Sequence, residues 1–174
     1  ESILESSKTV RKTFKDQLDI DQIDAVIESA KQYKVDFGEA FVEAYKHTQD
    51  VQNRLAVLGG EINKKVDDIL QDQEEEYARL LKEGASAERR IETVQKIVDG
   101  NDMLKHYLIS RRHGVNFFLT QKTEAYQMSY DEITGAEKVL NDLKSRYRNP
   151  AHVKAAEDVL AGFVEYKQGL DDVK

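Results

Sequence analysis

Apolar residues recur at helical spacing along almost the whole chain, and the positions where the pattern breaks divide it into five helices. Ile3, Val10, Phe14 and Leu18, with Leu4 beside them, mark one face of a first helix over residues 1–18, followed by a turn near Asp19. From Ile23 a second stripe runs through Val26, Ile27, Ala30, Tyr33, Phe37, Phe41, Ala44, Val51, Leu55, Leu58, Ile62, Val66, Ile69, Tyr77 and Leu80. Thr48 keeps its register, only the residues around Asp72 and Gln73 fail to contribute, and no proline stops it. Unbroken, it predicts a helix of about 60 residues and about 90 Å, against a globular average of about 12 residues. Gly59 and Gly60 offer a place to bend, since each costs roughly 1 kcal/mol against alanine in a helix interior.

Gly84 stops this helix and Ser86 caps the next, which is expected from Ala87 to about Lys122. Its predicted core stripe is Ile91, Val94, Val98, Leu104, Leu108, Val115 and Leu119, with a polar patch at residues 99–102 where it would kink. A fourth helix, about Glu124 to Arg148, carries Tyr126, Tyr130, Ile133, Leu140, Leu143 and Tyr147. Asn149 and Pro150 supply a cap and a first-turn proline for the fifth, with Val153, Leu160, Phe163, Leu170 and Val173. The expected fold is therefore all-α, an elongated antiparallel bundle of long helices, because short turns set neighbouring helices antiparallel. The long second helix overruns the third, which leaves the first helix and residues 20–45 short of partners. Flanking helices outside this chain, or a second chain, are expected to supply them.

Composition narrows the function. With 40 % hydrophobic and 34 % charged residues, one proline and no tryptophan, the chain suits helices with solvated outer faces. A formal charge of −7 argues against nucleic acid and against a surface that hugs anionic lipid, both of which need an excess of Lys and Arg. Absence of cysteine removes disulfides, thiolate chemistry and Cys-based zinc sites. No apolar run approaches the roughly 20 residues that span a bilayer, and the first residues read as the middle of a helix, as in an excised fragment.

Chemistry concentrates on the third helix. Arg111 and Arg112 sit where its stripe calls for Leu, and a guanidinium aimed between packed helices needs an acceptor, either a protein carboxylate or an anionic guest. The planar fork of arginine suits carboxylates, through two parallel charge-assisted bonds. Tyr107, Tyr126 and Tyr130 are placed to line a pocket or to pack. Arg89–Arg90 and Arg146–Arg148 lie at helix ends, where favourable interaction with the helix dipole is the expected explanation. His106 and His113 share a face but lack a Glu-x-x-His pattern or a cysteine, so a packing role is expected and no metal site. The acidic run from Gln71 to Glu76 reads as a solvated face. With no phosphate-binding glycine loop, nucleophile elbow or Ser, His, Asp arrangement, neither an enzyme nor a cofactor is expected.

Lys8 and Phe14 are spaced as Arg111 and Phe117 are, a basic residue and then an aromatic near a helix end. The segments Val10-Arg11-Lys12-Thr13-Phe14 and Arg111-Arg112-His113-Gly114-Val115-Asn116-Phe117-Phe118-Leu119, about 100 residues apart, resemble the sensor domains of bacterial methyl-accepting chemotaxis receptors of the helical bimodular type. The resemblance implies two stacked four-helix modules built from six helices on the periplasmic side of the inner membrane. It also implies a single sensor domain over residues 1–174, anchored through segments outside this chain and dimeric in the full receptor. Its ligand would be a small organic acid, met by Lys8 and Arg11 in one copy and by Arg111 and Arg112 in the other. The rival expectation is a spectrin-like or coiled-coil structural or adaptor protein, with the long helices as spacers.

Overall fold

A computed structural model describes the backbone of residues 2–174 and the side chains of residues 4–174. Five helices follow one another: α1 (Ser2–Arg11), α2 (Gln17–Lys82), α3 (Ala87–Thr120), α4 (Thr123–Arg146) and α5 (Pro150–Asp171). The fold is all-α, with no strand among the described residues. It divides into two units, residues 1–47 and 48–174.

In residues 1–47, α1 ends at Arg11, well short of the expected residue 18. Asp16 is the reason: its Oδ1 accepts the Leu18 backbone N–H at 2.8 Å and caps α2, so the turn lies before Gln17 rather than at Asp19. Ile3, assigned to the first helix's apolar face, lies outside the described side chains. Arg11 clamps Asp24 with two parallel bonds, Nε to Oδ1 and Nη2 to Oδ2, the latter at 2.7 Å. Ile27 is buried. Tyr33, Phe37 and Phe41 stack on one another along α2, with centroids 5.5 and 6.2 Å apart, and remain exposed, as expected of a face short of partners.

Residues 48–174 form an antiparallel four-helix bundle from the second part of α2 with α3, α4 and α5. Arg54 meets Asp172, Lys65 meets Asp158 and Gln73 meets His152, so α2 and α5 run in opposite directions. Asp99–Arg146, His106–Glu132 and Ser110–Ser129 set the same relation between α3 and α4. Val51, Leu55, Ile62, Val66, Ile69 and Leu80 are buried as the stripe on α2 requires. Gln73, which the pattern excludes from that face, is also buried because His152 gives it a partner. α2 and α3 stay helical through Gly59–Gly60 and Gly100, where a bend or kink was expected. Gly100 is filled from outside, since a Cβ there would lie 2.7 Å from Leu70 Cδ2 on α2.

The largest departure concerns α3. Its buried face is Thr93, Lys96, Gly100, Met103, Tyr107, Ser110, Gly114 and Phe117. The aliphatic stripe expected in the core points outward instead: Ile91 is 66 % and Leu119 75 % exposed, and Val94, Val98, Leu108 and Val115 are also exposed. Only Leu104 of that stripe packs against the core. The helix carries two apolar faces, and its smaller side chains are chosen for the interior because they admit the tyrosines and the neighbouring backbones.

Candidate functional site

Two polar places stand out in the bundle of residues 48–174. The first lies at mid-height, where small residues let polar groups into the core. Ser110 Oγ donates to the Ser129 carbonyl at 2.8 Å, and Ser129 Oγ returns a bond to the Ser110 carbonyl at 2.9 Å, tying α3 to α4. Tyr166 reaches across from α5, its hydroxyl 3.5 Å from the Ser110 carbonyl. Gly114 makes that approach possible, since a Cβ there would lie 2.3 Å from the Tyr166 hydroxyl. Tyr107 is fully buried, its ring against Phe163 at 5.3 Å and edge-on to Tyr166 at 6.2 Å. Its hydroxyl is buried with no hydrogen-bond partner among the described residues. Burial raises its pKa and the nearby Arg111 opposes the rise, so the phenol stays protonated.

Arg111 lies half-buried beside this layer, in the seam between α3 and α2. Its Cζ is 5.9 Å from the Tyr107 ring centroid, and a Cβ on Gly59 would lie 2.7 Å from the same atom. The guanidinium therefore rests on the bare backbone of α2, and it forms no ion pair among the described residues. A charge so placed keeps its solvent-facing donors available to an acceptor. Of the two acceptors expected for this guanidinium, a protein carboxylate is not found among the described residues, and the side chain is flanked instead by the Tyr107 ring and the α2 backbone.

The other expected ligand residues are committed elsewhere. Arg112 is exposed on the outer face of α3, beside the outward aliphatic stripe. Tyr126 donates to Asp171 at 2.5 Å, and that bond, with burial, pushes its pKa up to about 12. Lys8 pairs with Glu5 at 3.0 Å, and Arg11 is held by Asp24. Of the four that belong to residues 48–174, Arg111 and Tyr107 are brought together. The two basic-to-phenylalanine segments also differ in structure, because Phe14 lies in the turn after α1 while Phe117 is buried inside α3. His106 sits 2.6 Å from Glu132, an α3–α4 tie, and no group of His, Cys, Asp or Glu suited to a metal occurs among the described residues.

The second place is a cleft of about 570 Å³ at the end of the bundle where α2 ends, α3 begins and α4 passes to α5. Leu80, Gln73, Thr93 and Tyr147 are its buried floor, and its walls are charged. Gln73, Lys96, Tyr147 and His152 were not expected as site residues from the sequence, which placed Tyr147 on the apolar face of the fourth helix. Gln73 carried a signal, a polar residue at a core register, but the other three are joined only by the packing of four helices.

Comparison with known proteins adds no assignment: no family model, curated protein or solved structure matches the chain.

The seam makes a stability prediction. Gly60 has nothing within 4 Å of an added Cβ, so Gly60→Ala is expected to raise the unfolding free energy by about 0.5–1 kcal/mol in urea titration. Gly59→Ala removes the same backbone freedom but pushes the guanidinium off α2, so it is expected to gain less. Equal gains would show that Arg111 is not held against Gly59.

Proposed function

We propose that this chain is a helical sensor domain that binds a small organic anion at Arg111 and passes a helix displacement to a signalling module. The observation that carries the reading is the pairing of a half-buried guanidinium without a carboxylate and a buried tyrosine hydroxyl without a partner, one turn apart on α3. A carboxylate entering the seam would take charge-assisted bonds from Arg111, each contributing about 1.5–3 kcal/mol, and an oxygen to accept from Tyr107. Because Arg111 lies against Gly59, such a guest would separate α2 from α3 locally. A ligand shifts helix arrangement only by its difference in affinity for the two, and this seam offers such a difference.

In this reading the domain works on the periplasmic side of a bacterial inner membrane, as the ligand-binding part of a chemotaxis-type receptor. No described helix is long and apolar enough to cross a membrane, so the anchor is assigned to other segments. The outward aliphatic stripe of α3 is the face offered to a second copy. That same stripe favours the alternative of a structural or adaptor helical protein, in which it binds other helices and Arg111 is a packing residue.

Thermal-shift titration against mono-, di- and tricarboxylates separates the two. A ligand that binds only the folded state adds about 2.7 kcal/mol at 100 times its dissociation constant. Arg111→Ala is expected to abolish the shift while leaving helix content intact, and Arg112→Ala to retain it. A shift that survives Arg111→Ala sinks this site, and a flat panel leaves the scaffold reading.

A further inference from the structure

We propose that the cleft at the end of the bundle is a separate binding site for a small zwitterion of the α-amino-acid class, about five turns along α3 from Arg111. Its volume, about 570 Å³, falls within the range of small-molecule sites, roughly 300–1,000 Å³. What decides the ligand class is how charge is divided between its walls. The α2 wall presents Asp72, Glu75 and Glu76, and the opposite wall, from α3 and the α4–α5 connection, presents Arg89, Lys96 and Arg148.

The exceptions on each wall are internally paired. Arg79, on the acidic side, is held by Glu76 at 2.5 Å and by Glu83 at 2.8 Å. Glu92, on the basic side, is held by Lys96 at 2.8 Å, with Arg148 at 3.6 Å. Glu75 is left with only a neutral partner, the Gln71 amide at 3.0 Å, and Arg89 forms no ion pair among the described residues. One carboxylate and one guanidinium, on facing walls, are thus available to a guest. A simple anion drawn to Arg89 would meet the α2 carboxylates, and a simple cation drawn to Glu75 would meet three basic side chains. A molecule carrying both charges satisfies both walls, with its ammonium toward Glu75 and its carboxylate toward Arg89 and Arg148.

The floor between the walls is ordered independently of any guest. Gln73 Nε2 lies 3.1 Å from His152 Nδ1, and His152 Nε2 lies 2.9 Å from an Asp72 carboxylate oxygen, so both ring nitrogens are held from α2. That ring stands edge-on to Tyr147, with centroids 5.6 Å apart. Tyr147 and Leu80 give the guest's side chain an apolar surface to cover.

Calorimetric titration of this chain with the proteinogenic amino acids tests the assignment. At least one is expected to bind saturably, and its N-acetyl and methyl-ester derivatives, each lacking one charge, to bind at least about tenfold more weakly, the equivalent of about 1.4 kcal/mol. Glu75→Gln and Arg89→Gln, both at exposed positions, are each expected to weaken binding by a similar factor with an unchanged circular dichroism spectrum. Arg111→Ala is expected to leave it unchanged, which separates this site from the carboxylate site proposed above. Absence of binding up to about 10 mM, equal binding of either derivative, or indifference to both variants overturns the proposal.

Discussion

Phe163→Ala is expected to lower the unfolding free energy of the bundle by about 3–5 kcal/mol, the usual cost of removing a fully buried aromatic side chain. Phe163 is wholly buried on α5 and packs on Tyr107 of α3, so its ring joins helices that face each other diagonally across the core. Removal strips both the contact and the area, and Tyr107, with its unpartnered hydroxyl, cannot collapse into the space without losing its own packing. Domains of this size are stable by about 5–15 kcal/mol, so the loss is a large share of the total. Val164→Ala, the next residue and 62 % exposed, is expected to change stability by less than about 0.5 kcal/mol. Urea titration of both variants provides the check, and comparable losses would mean that α5 presents a different face to the core.

Gly114→Ala is expected to be the most disruptive of the small substitutions, at about 1–3 kcal/mol for overpacking a closed core. The added Cβ would fall 2.3 Å from the Tyr166 hydroxyl and 3.3 Å from Ser129 Oγ, so either α3 moves away from α5 or the tyrosine leaves its place. Tyr166→Phe provides the internal test. It removes the atom in conflict and gives up a long bond to the Ser110 carbonyl, at 3.5 Å, with the neighbouring Ser129 contact. The double variant Gly114→Ala with Tyr166→Phe should therefore recover most of the loss caused by Gly114→Ala alone. Additive losses in the double-mutant cycle would show that the hydroxyl is not what the glycine accommodates. The result bears on function too, because this layer lies beside Arg111, and loosening it is expected to change the seam in which an anion is proposed to bind.

The sequence by itself determined the class of fold, the five helices and most of their ends. Helix periodicity, Gly84, Ser86 and the Asn149–Pro150 pair act locally, through backbone conformation and capping. Ser86 accepts the Arg89 N–H and Asn149 the Ala151 N–H, and Gly84 takes the left-handed conformation. The apolar stripe on α2 was legible for the same reason, since it is the strongest apolar face that this helix has within residues 48–82.

Only the tertiary structure decided which face of α3 is inside. Two apolar stripes wind around that helix, and hydrophobicity alone favours the aliphatic one, whereas the bundle buries the one with Gly100, Ser110 and Gly114. Those residues gain nothing from burial on their own. Leu70 fills the space at Gly100, Ser129 satisfies Ser110, and Tyr166 needs the room at Gly114. The candidate sites follow the same rule. Arg111 could be named from its place in the pattern, but its rest on Gly59 and Tyr107 could not. The facing charged walls of the end cleft come from the end of α2, the start of α3 and the α4–α5 connection, brought together only when the four helices close, because long-range packing and not local sequence sets which side chains face each other.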